Sequence, residues 1–433
     1  LTDGLIMGDL GFGQLTIRDR AILISGTAGD DSILGNQDGG VGIIEVTGVG
    51  SRWTVGNSTN PGTLTLGNAA GMSTLGTAQG TLKIANQALV QVSENVVINS
   101  HGVVNLEDRG RLRILPANSG TADAIVNRGV VSGSGFVDFV DHNFVISPIG
   151  EVRNSGNAIV NSLPTNQREK LIFTGTLLTN NGTIESLGGE MEFNVPVVNN
   201  LELIARDAVM RFPLGLTNNG VMILDGDTTI HGGITPAPLS NITVLPGSDV
   251  VVIGDLVFTS TSIVSLAIGD DAGTLSVSGM ADLTGSPLLT LNYTGGASPQ
   301  PGDMYEVFQA AGGITGSFLN PTAFAGGATW NIVQMGTSIF ATFNALSLGP
   351  MGADFDGNGT VNNLDLAIWQ ANYGSSGSIG SLDALGDADS DGDVDGRDFS
   401  RWQREFGGPG VEPFLAAVAV PEPSGLILLL SAG

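Results

Sequence analysis

Three triplets, Asn180-Asn181-Gly182, Asn199-Asn200-Leu201 and Asn218-Asn219-Gly220, recur every 19 residues. Their surroundings recur with them: Ile184, Leu203 and Met222 fall at one equivalent position, and Phe193 and Phe212 at another. A fixed period means that one small unit is copied along the chain and buries its apolar side only by stacking on its neighbours. Upstream, Asn127-Arg128-Gly129 and Asn154-Ser155-Gly156 extend the series at intervals of 27 and 26, as coils with longer loops would. Asn and Gly tolerate positive φ better than other residues, so they suit a corner that every coil must turn. The expected fold is a parallel β-helix whose corners carry a structural ladder of side-chain amides bonded along the axis. Coils stacked at roughly 4.8 Å would make the first 245 residues a rod on the order of 50 Å long.

Residues 1–115 read the same way. The pairs Leu15/Ile17, Ile44/Val46, Leu64/Leu66 and Leu82/Ile84 alternate with the period of two expected of strands with one buried face. Met7-Gly8, Leu34-Gly35 and Leu75-Gly76 each lead, through a short polar turn, into such a strand. Strand signals continue through 246–346, with turns rich in Gly, Pro and Ser, either as more solenoid or as a small sandwich that caps the rod. Composition agrees with an all-β, turn-dense chain: 65 of 433 residues are Gly and only 13% are charged, against about 7% and 25% in ordinary proteins. Glycine lacks the three-residue period of collagen, and 41% hydrophobic content is too high for a wholly disordered chain. Cysteine is absent, which leaves burial and bound ions to hold the fold. The net charge of −26 argues against a nucleic-acid partner, because counterion displacement requires clustered Lys and Arg.

A second pattern begins at Asp354. DFDGNGTVNNLD places Asp354, Asp356, Asn358, Asn362 and Asp365 at positions 1, 3, 5, 9 and 12 of a twelve-residue loop, with Gly359 at 6 and the Thr360 carbonyl at 7. DADSDGDVDGRD repeats it with Asp387, Asp389, Asp391, Asp395 and Asp398, Gly392 at the turn and the Asp393 carbonyl at 7. Calcium takes six to eight oxygens at roughly 2.3–2.6 Å, and a loop this short wraps them only by turning sharply at its sixth residue. The second loop has five carboxylates at ligand positions and the first has three, so the second is expected to bind more tightly. Behind the loops, Leu366/Phe399, Trp369/Trp402 and Tyr373/Phe406 fall on one helical face, and Gly374 and Gly407 stand where a helix would stop.

Loop plus following helix, duplicated at an interval of 33 residues and with Asp at position 12, resembles the type I dockerin. That resemblance implies a calcium-dependent helical module over 347–410 that plugs into a cohesin-like domain of another protein. Asn363-Leu364 and Gly396-Arg397 precede the last ligand of each loop, where the family chooses its partner, and their difference implies one docking orientation rather than two. Val46 to Gly56, VTGVGSRWTVG, followed by LTLG and GTLKI, resembles the PEP-CTERM-associated repeat of bacterial surface and autotransporter-like proteins. Trp53 within it is expected to pack between coils, the alternative being a sugar-stacking platform. In 411–433, a linker leads into Val420-Pro421-Glu422-Pro423-Ser424, which looks like a PEP-CTERM sorting signal shortened before its membrane helix. The resemblance implies export from a Gram-negative-type bacterium, processing by exosortase-like machinery, and a place at the cell surface or in the extracellular matrix. With no Met at Leu1, the chain is expected to begin after a signal sequence or to be a fragment.

His101, His142 and His231 show no spacing that suggests a triad or a zinc site. Asp30-Asp31 and Asp270-Asp271 are adjacent pairs, which on a strand point to opposite faces, and they read as turn residues. The leading expectation is therefore a non-enzymatic exported solenoid with a calcium-dependent docking module and, as a possible partner, an extracellular polysaccharide. The alternative is a polysaccharide-binding or polysaccharide-degrading β-helix enzyme tethered through its dockerin.

Overall fold

One 19-residue period is one coil of three short strands. Thr183–Leu187, Glu190–Asn194 and Val197–Asn199 make one coil, and Glu202–Arg206, Val209–Arg211 and Leu216–Asn218 the next. Each strand pairs in parallel with its equivalent one period on: Ile184 with Leu203, Met191 with Met210, Asn199 with Asn218. The computed structural model describes residues 3–67, 77–115, 124–155, 170–270, 272–294, 303–320, 322–325, 328–345, 353–355, 361–376, 385–388 and 393–406. The chain divides into two units, Leu1–Ala345 and Leu346–Gly433.

In the first unit the strands stack into three parallel columns. The first column begins at Phe12–Ile17 and ends at Leu288–Tyr293. The second begins at Ile22–Ser25 and the third at Ile6–Met7. Position 245 does not interrupt the columns, since Asn241–Val244 pairs in parallel with Ile263–Ile268 and Asp249–Ile253 with Thr274–Val277. The choice left open for 246–346 is thus divided: solenoid persists to Ile314–Gly316, which pairs in parallel with Ala281–Leu283. Met304–Ala310 then joins the second column in parallel on one edge and takes Ser338–Ala345 antiparallel on the other. Ala328–Met335 and Thr322–Ala325 complete that antiparallel sheet. Reversing direction there ends the repeat of parallel edges that would otherwise invite another chain to pair. Trp330 anchors the closing sheet, fully buried, with its ring 5.2 Å from Phe343 and 5.7 Å from Tyr305.

Inward side chains of the three columns form one continuous core. Ile184, Leu203 and Met222 stack as the sequence predicts, all fully buried. Phe173, Phe193 and Phe212 form an aromatic column, with centroids 5.3 and 5.1 Å apart and rings 12° and 2° from parallel. Trp53 is fully buried and donates its indole N–H to Ser25 Oγ at 3.1 Å, so it packs between coils and offers no platform to a sugar.

The amide ladder is present in two rails. On the inner rail, Asn180 Nδ2 donates to Asn199 Oδ1 and Asn199 Nδ2 to Asn218 Oδ1, both at 2.7 Å, and all three residues are fully buried. On the exposed outer rail, the sense is reversed: Asn219 Nδ2 donates to Asn200 Oδ1 and Asn200 Nδ2 to Asn181 Oδ1. Two expectations about these corners need correction. Asn154 is not a rung: it lies in Glu151–Ser155 and pairs with Ser186 in the first column, while Ile146 stands between Asn127 and Asn180 in the ladder. Gly156 lies outside the described residues. Nor is positive φ the reason for Asn and Gly at this corner, because none of the ladder Asn residues, nor Gly129, Gly182 or Gly220, has it. Gly182 is required by close approach, since a Cβ there would sit 2.2 Å from the Gly150 carbonyl oxygen. Left-handed residues stand at this corner in other coils, as at Gly35 (φ 70°), Gly67 (φ 77°) and Leu239 (φ 63°), and also between the first and second columns, as at Asn86 (φ 53°) and Gln87 (φ 63°), or Asp108 (φ 45°) and Arg109 (φ 63°).

In the second unit the described elements are two ten-residue helices, α1 (Asn363–Asn372) and α2 (Gly396–Glu405). They share a small core of Ala353, Phe355, Val361, Ala388 and Trp402, with Leu366, Ile368, Trp369 and Phe399 packed against it. Among the described residues no helix is long and apolar enough to cross a membrane. Gly407 and the segment 408–433, including Val420 to Ser424, lie outside the described residues.

Candidate metal centre

Each helix of the second unit opens on the same device. Asn362 and Asp395 are the N-caps, extended at φ −146° and −130°, and their side chains accept the N–H of Leu364 and Arg397 at 2.7 and 2.6 Å. Three residues into each motif, Asp365 and Asp398 reach back to accept the N–H of Asn362 and Asp395 at 2.8 and 2.7 Å. These reciprocal bonds are capping boxes, which satisfy amides that a helix start leaves open. Positions 9 and 12 of each twelve-residue loop therefore also fix where its helix begins. The remaining Asp398 oxygen, Oδ1, accepts the Ala388 N–H at 2.7 Å, which ties the start of the second loop to its end.

Asp365 and Asp398 are fully buried and Asp387 is 1% exposed. Asp393, Asp395 and Asp398 bring one carboxylate oxygen each to within 4.8 Å of one another. Three carboxylates this close repel one another, and a shared cation would relieve that repulsion. The donors are hard oxygens with neither imidazole nor thiolate among them, a set that suits calcium or magnesium rather than zinc or copper. By that test the described residues of the second loop fit a divalent hard cation. Asp393 enters through its carboxylate here, whereas the loop pattern assigned it a carbonyl. In the first loop Asp354 is half-buried, and Asn362 and Asp365 repeat the geometry of Asp395 and Asp398. Asp356, Asn358, Gly359, Thr360, Asp389, Asp391 and Gly392 lie outside the described residues.

Two features escaped the sequence pattern. Trp369 on α1 donates its indole N–H to the Asp395 carbonyl at 2.9 Å, and Trp402 on α2 donates to the Asn362 carbonyl at 3.0 Å. Each helix thus holds the N-cap residue of the other, and Trp369 stacks on Phe399 at 4.8 Å between them. Glu405 is the second: it is buried, takes Arg401 Nε on one oxygen at 2.8 Å and caps the Ala353 N–H with the other at 2.8 Å. The 33-residue spacing hinted at the first, since it puts both tryptophans and both caps in equivalent places. Tyr373 is the C-cap of α1, and Gly374, at φ 85°, follows it.

Elsewhere, His142 is buried with Nε2 against the Leu115 carbonyl at 3.0 Å, and His101 is exposed. His231 is held below the usual histidine range by partial burial and by Arg211 and Lys170. Asp31 Oδ1 accepts the Thr63 N–H, a turn role, and Asp271 lies outside the described residues.

Fold and site together define a parallel β-solenoid followed by a two-helix unit with an oxygen-donor cluster at the start of its second helix. Comparison with protein-family models and with curated proteins finds no match to this chain.

Proposed function

We propose that this is a non-enzymatic exported protein in which the β-solenoid serves as a body and the two-helix unit as a calcium-dependent docking module, acting at the cell surface or in the extracellular matrix. The observation that carries the reading is the convergence of Asp393, Asp395 and Asp398 within 4.8 Å at a helix start whose capping geometry recurs 33 residues earlier. An ion there would neutralise the cluster and order the loop that begins each helix, so docking and metal binding would be linked. Chemistry on the two helix faces supports a single docking orientation on a cohesin-like domain. Leu364 is 62% exposed and is followed on α1 by Ala367 and Ala371, while the equivalent positions of α2 are Arg397, Ser400 and Arg404.

Calorimetric titration of the whole chain with calcium should show two ions bound and a gain of helical ellipticity, reversed by chelator. The tighter step should vanish in Asp398→Ala and the weaker in Asp365→Ala. Absence of heat and of helix gain at millimolar calcium would end the proposal.

A further inference from the structure

The outward positions of the second column are unusual for a chain with 42 acidic and 16 basic residues. Strands Arg52–Val55, Leu89–Val92 and Gly102–Ile114 turn Trp53, Val55, Val90, Val92, Leu112 and Ile114 inward, all buried. The alternate positions therefore face out, and they are Arg52, Thr54, Leu89, Gln91, Arg111 and Arg113. Among the described outward positions of this column, from Ile22 upward, the first carboxylate met is Asp138. Arg52 and Arg111 are in register through Leu89, two rungs or roughly 9.6 Å apart, and Arg111 and Arg113 are neighbours on one strand at roughly 7 Å.

Two of these guanidinium groups are held by their neighbours. Arg52 donates from Nε to Thr54 Oγ1 at 2.9 Å and from Nη2 to Gln91 Oε1 at 2.8 Å. Arg111 lies over the Phe136 ring at 4.7 Å and reaches Asp138 at 3.4 Å, with its side chain 46% exposed against 18% for the aspartate. Arg111 and Arg113 are exposed, and Asp138, one rung on and in register with Arg113, is the less exposed partner. We infer that this face binds an extended acidic polysaccharide laid along the solenoid, its carboxylate or sulfate groups engaging Arg52, Arg111 and Arg113. Guanidinium forks match such oxyanions in a bidentate manner, and the Thr54 hydroxyl and Gln91 amide are placed to meet sugar hydroxyls. A Debye length of about 8 Å at physiological salt screens the acidic remainder of the chain, so the local charge decides the contact. A face with three arginines and no lysine favours a sparsely charged sugar chain over nucleic acid, whose phosphates demand denser neutralisation.

The test uses the whole chain at 150 mM NaCl in chelator, so that it is independent of the metal-dependent module. Binding to hyaluronan and to kappa-carrageenan, which carry one carboxylate or one sulfate per disaccharide, is compared with neutral dextran and with single-stranded DNA. At least one acidic polysaccharide should bind, neutral dextran should not, and affinity should fall as salt rises. Arg111→Gln/Arg113→Gln should weaken binding by about tenfold per arginine, whereas Arg128→Gln, exposed at a corner outside this face, should change it less than twofold. Unchanged circular dichroism would establish that the variants fold. No binding to either acidic polysaccharide, equal binding by the double variant, or tighter binding to DNA would each overturn the inference.

Discussion

Replacing Asn199 by Leu removes the middle of the inner amide rail while nearly preserving side-chain shape. Three partners are affected. Asn180 Nδ2 loses one acceptor but keeps the Glu202 carbonyl at 2.8 Å, and the Val221 carbonyl loses a weak donor at 3.3 Å. Asn218 Oδ1 fares worst: its donor is Asn199, and the Gly220 N–H, the natural substitute, already binds the Asn199 carbonyl at 3.0 Å. An orphaned buried acceptor costs about 1–3 kcal/mol and a lost net hydrogen bond about 1, for a total of about 2–4 kcal/mol. The rung at Ile146 shows why the corner tolerates an apolar residue there without such a cost, since the Oδ1 atoms of Asn127 and Asn180 are met by Gly129 and Gly182 N–H. Asn200→Leu, one residue along on the exposed rail, breaks two amide bonds of similar length but leaves water to replace them, so its cost should stay within about 0.5 kcal/mol. Coils contact only their neighbours, so the loss should be local and is best read by native-state hydrogen exchange. Protected amides around 199–221 should exchange roughly 30- to 900-fold faster in Asn199→Leu and within about twofold of the parent in Asn200→Leu. Equal effects of the two substitutions would refute the view that burial, not the amide bond itself, gives the ladder its worth.

Phe193→Ala empties a site between two stacked rings and should cost about 3–5 kcal/mol, measured by the same exchange experiment on neighbouring coils. Trp402→Phe keeps the aromatic packing but removes the bond to the Asn362 carbonyl, so amides at the start of α1, on the other helix, should lose about 1 kcal/mol of protection; a loss confined to α2 would refute the cross-link. Burial pushes the Glu190 carboxyl up, but hydrogen bonds from Arg211 and Lys170 outweigh it and hold it below its usual value. Its folded-state pKa is thus below the unfolded one, so its stabilisation is full above about pH 4.5 and is lost as pH falls through the folded value. Acid unfolding followed by circular dichroism should therefore be less steep in Glu190→Gln, and an unchanged acid limb would contradict this.

The period of 19 was legible because a coil of three strands repeats both its inward pattern and its corner residue, as at Ile184, Leu203 and Met222. It was lost at Ile146-Ser147, which occupies a ladder rung without an asparagine, and Asn154 in the next strand offered a false one. Positive φ between the first and second columns was missed because Asp108-Arg109 and Asn86-Gln87 carry no glycine to mark it. The closing antiparallel sheet was hidden for a different reason: its strands alternate like the solenoid strands, and the chain reverses between two of them at a tight turn, at Gly336, φ 63°. In the second unit, ligand spacing placed Asp395 and Asp398 together at the second helix start, but it gave Asp393 a carbonyl role where its carboxylate stands in the cluster. It did not foretell the tryptophan bonds, which join side chain to backbone across 26 and 40 residues.

The two units should differ in what holds them. The solenoid has a continuous core in which aromatic and aliphatic columns run from coil to coil. The second unit has two ten-residue helices, and helices of that length are marginal in water without tertiary support. Its described core has five fully or nearly fully buried apolar residues, while Asp365, Asp387 and Asp398 are buried alongside them and the buried Glu405 is paired with Arg401. Burying carboxylates opposes folding unless their charge is met, and a unit this small has little apolar surface to offset it. If a cation meets that charge, as proposed, its binding energy is folding energy, and chelator should abolish helical ellipticity while leaving the β-signal and the exchange protection of the solenoid unchanged.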